Sequence, residues 1–106
     1  MSFQKIFVLG AGAIGSFYGA LLSRKNDVTL VGRKTHVEAI NTNGLEVLGD
    51  IQERFFVKAE TKIKKIPSHA LILLTTKAYD SAKALTEIKN LLKNNTIILI
   101  LQNGLG

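Results

Sequence analysis

The sequence predicts an α/β domain, with a largely parallel sheet, helices on both of its faces and an antiparallel hairpin inserted in the middle of the chain. Three observations lead there. Short apolar runs rich in strand formers, at Ile6–Leu9, Val28–Val31, Ala70–Thr75 and Ile97–Leu101, alternate with segments whose apolar residues recur at helical spacing. The first run ends on a cluster of glycines at fixed offsets. Two further runs, Leu45–Leu48 and Ile51–Ala59, flank Gly49-Asp50, a pair suited to a tight hairpin turn.

Taken in order, Ile6–Leu9 reads as a central strand buried on both faces and stopped by Gly10. From Ile14 onward, Ile14, Phe17, Tyr18, Leu21 and Leu22 fall on one helix face, which is expected to pack on the sheet. Asn26 and Asp27 turn the chain into the strand Val28–Val31, which closes a parallel strand-helix-strand unit at Gly32 and Arg33. Thr35 and Glu38 have capping-box spacing, so a short helix carrying Val37 and Ile40 is predicted from there to Asn43 and Gly44. The hairpin follows, then a polar connection over Glu60–His69 that holds Pro67. Next come a buried strand at Ala70–Thr75 and a helix over Asp80–Asn94 with Leu85, Ile88 and Leu92 inward. The last strand, Ile97–Leu101, is expected inside the sheet, and Gln102–Gly106 leaves it as a loop.

The 106 residues, 46% of them apolar, suffice for one domain over residues 1–106 with a modest core, and not for two. Because doubly wound sheets usually carry six strands, the chain reads as the front part of a longer protein. The formal charge of +6 comes from lysines scattered over the second half, without the basic stripe and stacking aromatics that nucleic-acid binding needs, so no nucleic-acid partner is expected. The chain has no cysteine, and His36 and His69 alone do not make a metal site. Its longest apolar runs are far shorter than the eighteen or so residues of a membrane span. Lys5 followed by an apolar stretch could imitate a secretory signal, but the glycine offsets and the continuous helix pattern argue against one. A soluble, cytoplasmic protein is expected.

Gly10, Gly12 and Gly15 in GAGAIG match GxGxxG. The first permits a tight turn, the second lets backbone approach a pyrophosphate, and the third lets the helix lie close to the strand. The loop Gly10, Ala11, Gly12, Ala13, Ile14 and Gly15 is therefore a candidate dinucleotide site, with the positive end of the helix toward the phosphates. Alone the pattern is weak; a buried strand before it, a helix beginning in it and a second strand after it supply the required context. Gly19, one turn on, reads as structural. Sites selective for NAD usually end the second strand with Asp or Glu, whereas this sequence has Gly32, Arg33 and Lys34. A guanidinium can pair with a 2′-phosphate through charge-assisted hydrogen bonds worth about 1.5 to 3 kcal/mol. That is roughly a ten- to hundred-fold preference for NADP(H), while Arg33 and Lys34 also read as ordinary solvated charges before a helix.

Ligands of open parallel sheets gather beyond the carboxyl ends of the strands, so the loops after Thr75 and Leu101 matter as well. Lys77 could reach a cofactor phosphate or ribose or an anionic substrate, and it also reads as a solvated lysine. Asn103, in QNGLG, could donate and accept hydrogen bonds beside a nicotinamide, and it also reads as a turn-forming Asn-Gly. The functional readings gain from convergence, since the topology sends four polar loops to one edge.

The combination GAGAIG, VGR, GLEVLGD, TTKAYD and QNGLG, in this order and covering the whole chain, resembles the N-terminal Rossmann-type domain of the ketopantoate reductase (2-dehydropantoate 2-reductase) family. The resemblance implies hydride transfer from NADPH to the ketone of 2-dehydropantoate, giving pantoate for pantothenate and coenzyme A biosynthesis. It implies that Gly10–Gly15 hold the pyrophosphate, that Arg33 holds the 2′-phosphate and that Lys77 contacts the cofactor. Asn103 would sit between nicotinamide and substrate. The family's proton-donating lysine and substrate-binding polar residues belong to a helical C-terminal domain outside these 106 residues. The chain is accordingly expected to hold no catalytic acid and no metal, to bind NADP(H) without reducing the 2-keto acid at a useful rate, and to have that helical domain as its partner. A homodimer is compatible with the sequence, which leaves the oligomeric state open. Two alternatives stand beside this: a related dehydrogenase acting on another small 2-keto acid, and a non-catalytic module that senses dinucleotides.

Overall fold

A computed structural model describes residues 3–10, 13–47, 53–75 and 78–101. Along the chain run β1 (Lys5–Leu9), α1 (Ala13–Leu22), β2 (Val28–Val31), α2 (Lys34–Asn43), β3 (Leu45–Val47), β4 (Glu53–Phe55), β5 (Lys58–Glu60), β6 (Ala70–Leu74), α3 (Ala78–Ile88), a 3-10 turn (Lys89–Leu91) and β7 (Ile97–Ile100). Five strands form one sheet in the order β5-β2-β1-β6-β7, and every pair in it is parallel. β3 and β4 make a separate antiparallel pair. Rossmann-type architecture follows directly. The chain steps outward from β1 to β2 to β5, then returns to lay β6 on the other side of β1, and that reversal opens a crevice between the ends of β1 and β6.

Two apolar layers sandwich the sheet, and strand alternation assigns residues to them. Ile6, Val8, Val28, Leu30, Leu71 and Leu73 face a core completed by Ala20 of α1 and by Val37 and Ile40 of α2. Phe7, Leu9, Val31, Ile72 and Leu74 face a second core, closed by Ile88 of α3 and by Ile63 and Ile66. The stretch expected to be a merely polar connection therefore has a buried side: lysines 62, 64 and 65 face water while the isoleucines three apart between them cap the sheet.

Several predicted elements are redrawn. On α1 the expected apolar face packs only in part: Leu22 lies against the first core, whereas Tyr18 and Leu21 are each 40% exposed and Gly15, Gly19 and Ala20 are buried. Small residues let the helix axis approach the sheet, and a Cβ on Gly19 would overlap the Leu30 side chain. The run Ile51–Ala59 is not one strand. After β4 the chain bends at Phe56 and Val57, and β5 joins the main sheet parallel to β2. Val57 and Ala59 bury into the first core, and this burial outweighs extension of the hairpin. The third helix begins and ends earlier than predicted. The tighter 3-10 turn after Ile88 rotates the inward position, so that Leu91 packs on the second core and Leu92 is exposed. β7 lies at the edge of the five described strands, and about half of each of Ile97, Leu99 and Ile100 is exposed.

The opposite edge is protected by a side chain. Asn41 of α2 donates through Nδ2 to the Ala59 carbonyl at 3.0 Å and accepts from the Ala59 N–H at 3.1 Å, replacing the strand that β5 lacks on its outer side. Asn41→Ala would strand both buried backbone groups, and we expect a loss of about 2 kcal/mol after allowing for the better helix propensity of alanine. Urea unfolding measures it. Thr29, in the middle of β2, presents the converse case: its hydroxyl is buried without a hydrogen-bond partner among the described residues. Valine has the same shape without the polar atom, so Thr29→Val is expected to stabilise the fold by about 1 kcal/mol, a rise of roughly 4–8 °C in Tm on thermal unfolding. Among the described residues, no helix is long and apolar enough to cross a membrane.

Candidate functional site

Parallel strands deliver their following loops to one edge, and the ladder carries each of them one residue further. Gly10 N–H donates to Val31 O at 3.0 Å and Gly32 N–H to Glu60 O at 3.1 Å. Thr75 N–H donates to Leu9 O at 3.0 Å and Leu101 N–H to Leu74 O at 2.7 Å. The residues following β1, β2, β6 and β7 are thus held at the same carboxyl edge, and the segments expected to carry chemistry start from there. Of the residues singled out in the sequence, Gly10, Ala13, Ile14, Gly15 and Arg33 are described. Ala11, Gly12, Lys77 and Asn103 lie outside the described residues, as do Gly49 and Asp50 of the predicted turn.

Gly10 has φ 95°, a conformation that side-chain-bearing residues rarely adopt, and it turns the chain sharply out of β1. α1 begins at Ala13, with Ile14 next in its first turn and Gly15 facing back to the strand end. A Cβ on Gly15 would overlap the carbonyl oxygen of Gly10 and would come within 2.7 Å of Thr75 Oγ1. Close approach is therefore built into this position. The first turn of α1 holds no acidic residue, so the positive end of its dipole is not offset by a carboxylate of its own.

At the end of β2 the capping-box prediction is corrected. α2 starts at Lys34, one residue before Thr35, which puts Thr35 inside the first turn and makes Arg33 the N-cap. Arg33 is extended (φ −71°, ψ 152°) and makes no side-chain capping bond, and the first turn again has no acidic residue. Arg33 and Lys34 are both exposed. Two cationic side chains therefore stand beside open backbone amides at the positive end of a ten-residue helix, a combination suited to an anionic group. The ion pair of Lys5 with Asp27, 2.9 Å long, lies at the opposite, amino edge of the sheet and does not compete with it.

Two features of this edge were not foreseen from the sequence. One is the hydroxyl of Thr75, which lies 2.7 Å from Gly10 O and 3.0 Å from Leu9 O. No local pattern announces it, because the contact spans 65 residues of chain. The other is a cavity of about 290 Å³ beside the ends of β1 and β2, walled by Leu9, Val31, Ile63 and Ile88 and bordered by Lys62 and Glu87. For the burial of Ile63 the signal was its spacing from Ile66, since apolar residues three apart in a lysine-rich stretch mark a side turned to the core.

Comparison with known proteins gives a consistent result. The family model described as ketopantoate reductase PanE/ApbA matches residues 6–106. The chain is 47% identical over 104 residues to a 2-dehydropantoate 2-reductase of Pyrococcus horikoshii, a match covering 97% of this chain and 34% of that protein. It is 36% identical to the protein of the same name from Mesorhizobium japonicum, covering 95% of this chain and 32% of the relative. Among solved structures, a PanE/ApbA family ketopantoate reductase from Ralstonia eutropha superposes with a TM-score of 0.85 at 33% identity, covering 94% of this chain and 34% of that one. A D-mandelate dehydrogenase solved with NADH and anilino(oxo)acetate superposes with a TM-score of 0.83 at 34% identity, covering 96% and 34%. The chain thus spans about a third of the length of the relatives it matches.

Proposed function

This chain belongs to the ketopantoate reductase PanE/ApbA family, and from that premise we propose that it forms the NADP(H)-binding half of a 2-dehydropantoate 2-reductase. The observation that carries the choice of cofactor is Arg33 at an otherwise uncapped helix N-terminus, where a carboxylate would be expected in an NAD site. When bound, NADPH supplies the hydride for the ketone. The chain's own part is to bind and orient. The start of α1, brought close to β1 by Gly15, meets the diphosphate. Arg33 and Lys34 meet the 2′-phosphate, Lys77 contacts the cofactor, and Asn103 stands between nicotinamide and substrate. The proton for the new hydroxyl comes from the remaining two thirds of the enzyme, so these residues alone turn over no 2-dehydropantoate at a useful rate.

Calorimetry of the chain with NADPH and with NADH tests the cofactor assignment, and equal affinities, or tighter NADH, would reject it. A second reading has a specific basis, because a structure of comparable similarity is a D-mandelate dehydrogenase with NADH. In that case the protein would act on another 2-keto acid. Assaying the complete enzyme with 2-dehydropantoate and with a panel of aryl and alkyl 2-keto acids separates the two.

A further inference from the structure

We propose that Thr75 is a positioning residue for the dinucleotide, its hydroxyl holding the carbonyl at the head of the glycine loop so that the start of α1 meets the diphosphate in a fixed attitude. The inference rests on the dinucleotide reading above. Thr75 follows β6 directly and stands in the crevice where the sheet order reverses between β1 and β6. Its backbone N–H already donates to Leu9 O at 3.0 Å. The hydroxyl has a single proton and two carbonyls within reach, Leu9 O at 3.0 Å and Gly10 O at 2.7 Å. Leu9 O is served by the amide and Gly10 O is nearer, so the proton goes to Gly10 O.

The same oxygen lies 2.7 Å from the place a Gly15 Cβ would occupy. One atom thus spaces three parts of the site: the end of β1, the head of the loop and the first turn of α1. Both Gly10 at φ 95° and Gly15 against the loop are held from β6, the strand that also leads into Thr76 and Lys77. A carbon in place of the oxygen could not stay there, since carbon and carbonyl oxygen settle at roughly 3.3–3.6 Å. The loop head would have to withdraw by about half an ångström or more, and the Gly10 carbonyl would lose its donor.

The test is NADPH titration of the full chain, unmutated and as Thr75→Val, Thr75→Ala, Thr75→Ser and Asn41→Ala. Val removes the proton and crowds the carbonyl, Ala removes the oxygen without crowding, and Ser keeps it. We expect the Kd for NADPH to rise roughly ten-fold or more in the first two and to stay within about three-fold in Thr75→Ser. Asn41→Ala lowers Tm at the far edge of the sheet and should leave the Kd unchanged, which separates positioning from general loss of stability. Thr75→Val or Thr75→Ala binding as tightly as the unmutated chain would overturn the proposal. So would Thr75→Ser being as weak as Thr75→Val, or Asn41→Ala weakening NADPH to the same degree. Failure of the unmutated chain to bind either NADPH or NADH rejects the dinucleotide reading itself and is seen before any variant is compared.

Discussion

Gly15→Ala is expected to weaken NADPH binding by roughly ten- to a hundred-fold, the scale of one or two charge-assisted hydrogen bonds from the helix start to the diphosphate. The added methyl meets the Gly10 carbonyl on one side and the Thr75 hydroxyl on the other. Neither can yield cheaply. The carbonyl is backbone, anchored by the Gly10 N–H bond to Val31 O, and the hydroxyl is tied to that same carbonyl. The helix must move instead, and α1 is held against β2 by the close approach of Gly19 to Leu30. Relief therefore tilts the first turn away from β1, displacing the helix end that should face the diphosphate. Overpacking of this kind also costs about 1–3 kcal/mol of stability, so titration should be run well below the variant's Tm. Binding within a few-fold of the unmutated chain would show that the helix start does not hold the cofactor.

Arg33→Ala is expected to cut the ratio of NADPH to NADH affinity by roughly ten- to a hundred-fold, the value of one or two charge-assisted hydrogen bonds to a phosphate. The loss should fall on NADPH alone, with the NADH Kd almost unchanged, because Arg33 is exposed and contributes little to the core. Its place at the N-cap of α2 also makes a stability change small, as no side-chain capping bond is lost. Lys34 remains and should leave a residual preference that falls with added salt, since exposed charges are screened over about 10 Å at 0.1 M. An unchanged ratio in calorimetry would remove Arg33 from the site and return the choice of dinucleotide to the loops after β6 and β7.

Much of the domain was legible because strands of this kind write themselves plainly. β1, β2 and β6 are buried on both faces, so each is a nearly continuous apolar run ended by a glycine or a threonine, and no side-to-side ambiguity arises. The end of α2 was also plain, since Gly44 takes φ 80° where the helix stops. Harder to read were the places where a residue's environment comes from distant chain. The apolar periodicity of α1 pointed to its large residues, and Leu22 does pack on the core, yet Tyr18 and Leu21 turn outward while Gly19 meets the sheet, because close packing against Leu30 rewards the absence of a side chain. The break between β4 and β5 has no turn signal at Phe56 and Val57, since it is made by competition for a place beside β2. Thr35 and Glu38 had the spacing of a capping box, but their register was decided by where Val37 and Ile40 reach the core.

For the site the division is similar. The sequence by itself supplies the grounds for the proposed ligand, because glycine spacing after a buried strand and a cation in place of an acid after the next are local chemical facts. It determined, too, that the informative loops share one edge, which follows from strands that run parallel. Only the tertiary structure decided that β6 lies beside β1, and with it that the Thr75 hydroxyl reaches Gly10 across 65 residues. A hydrogen bond depends on tenths of an ångström between groups whose chain separation carries no record of their distance in space. Strand order supplies that distance, and strand order is settled by the packing of both sheet faces at once.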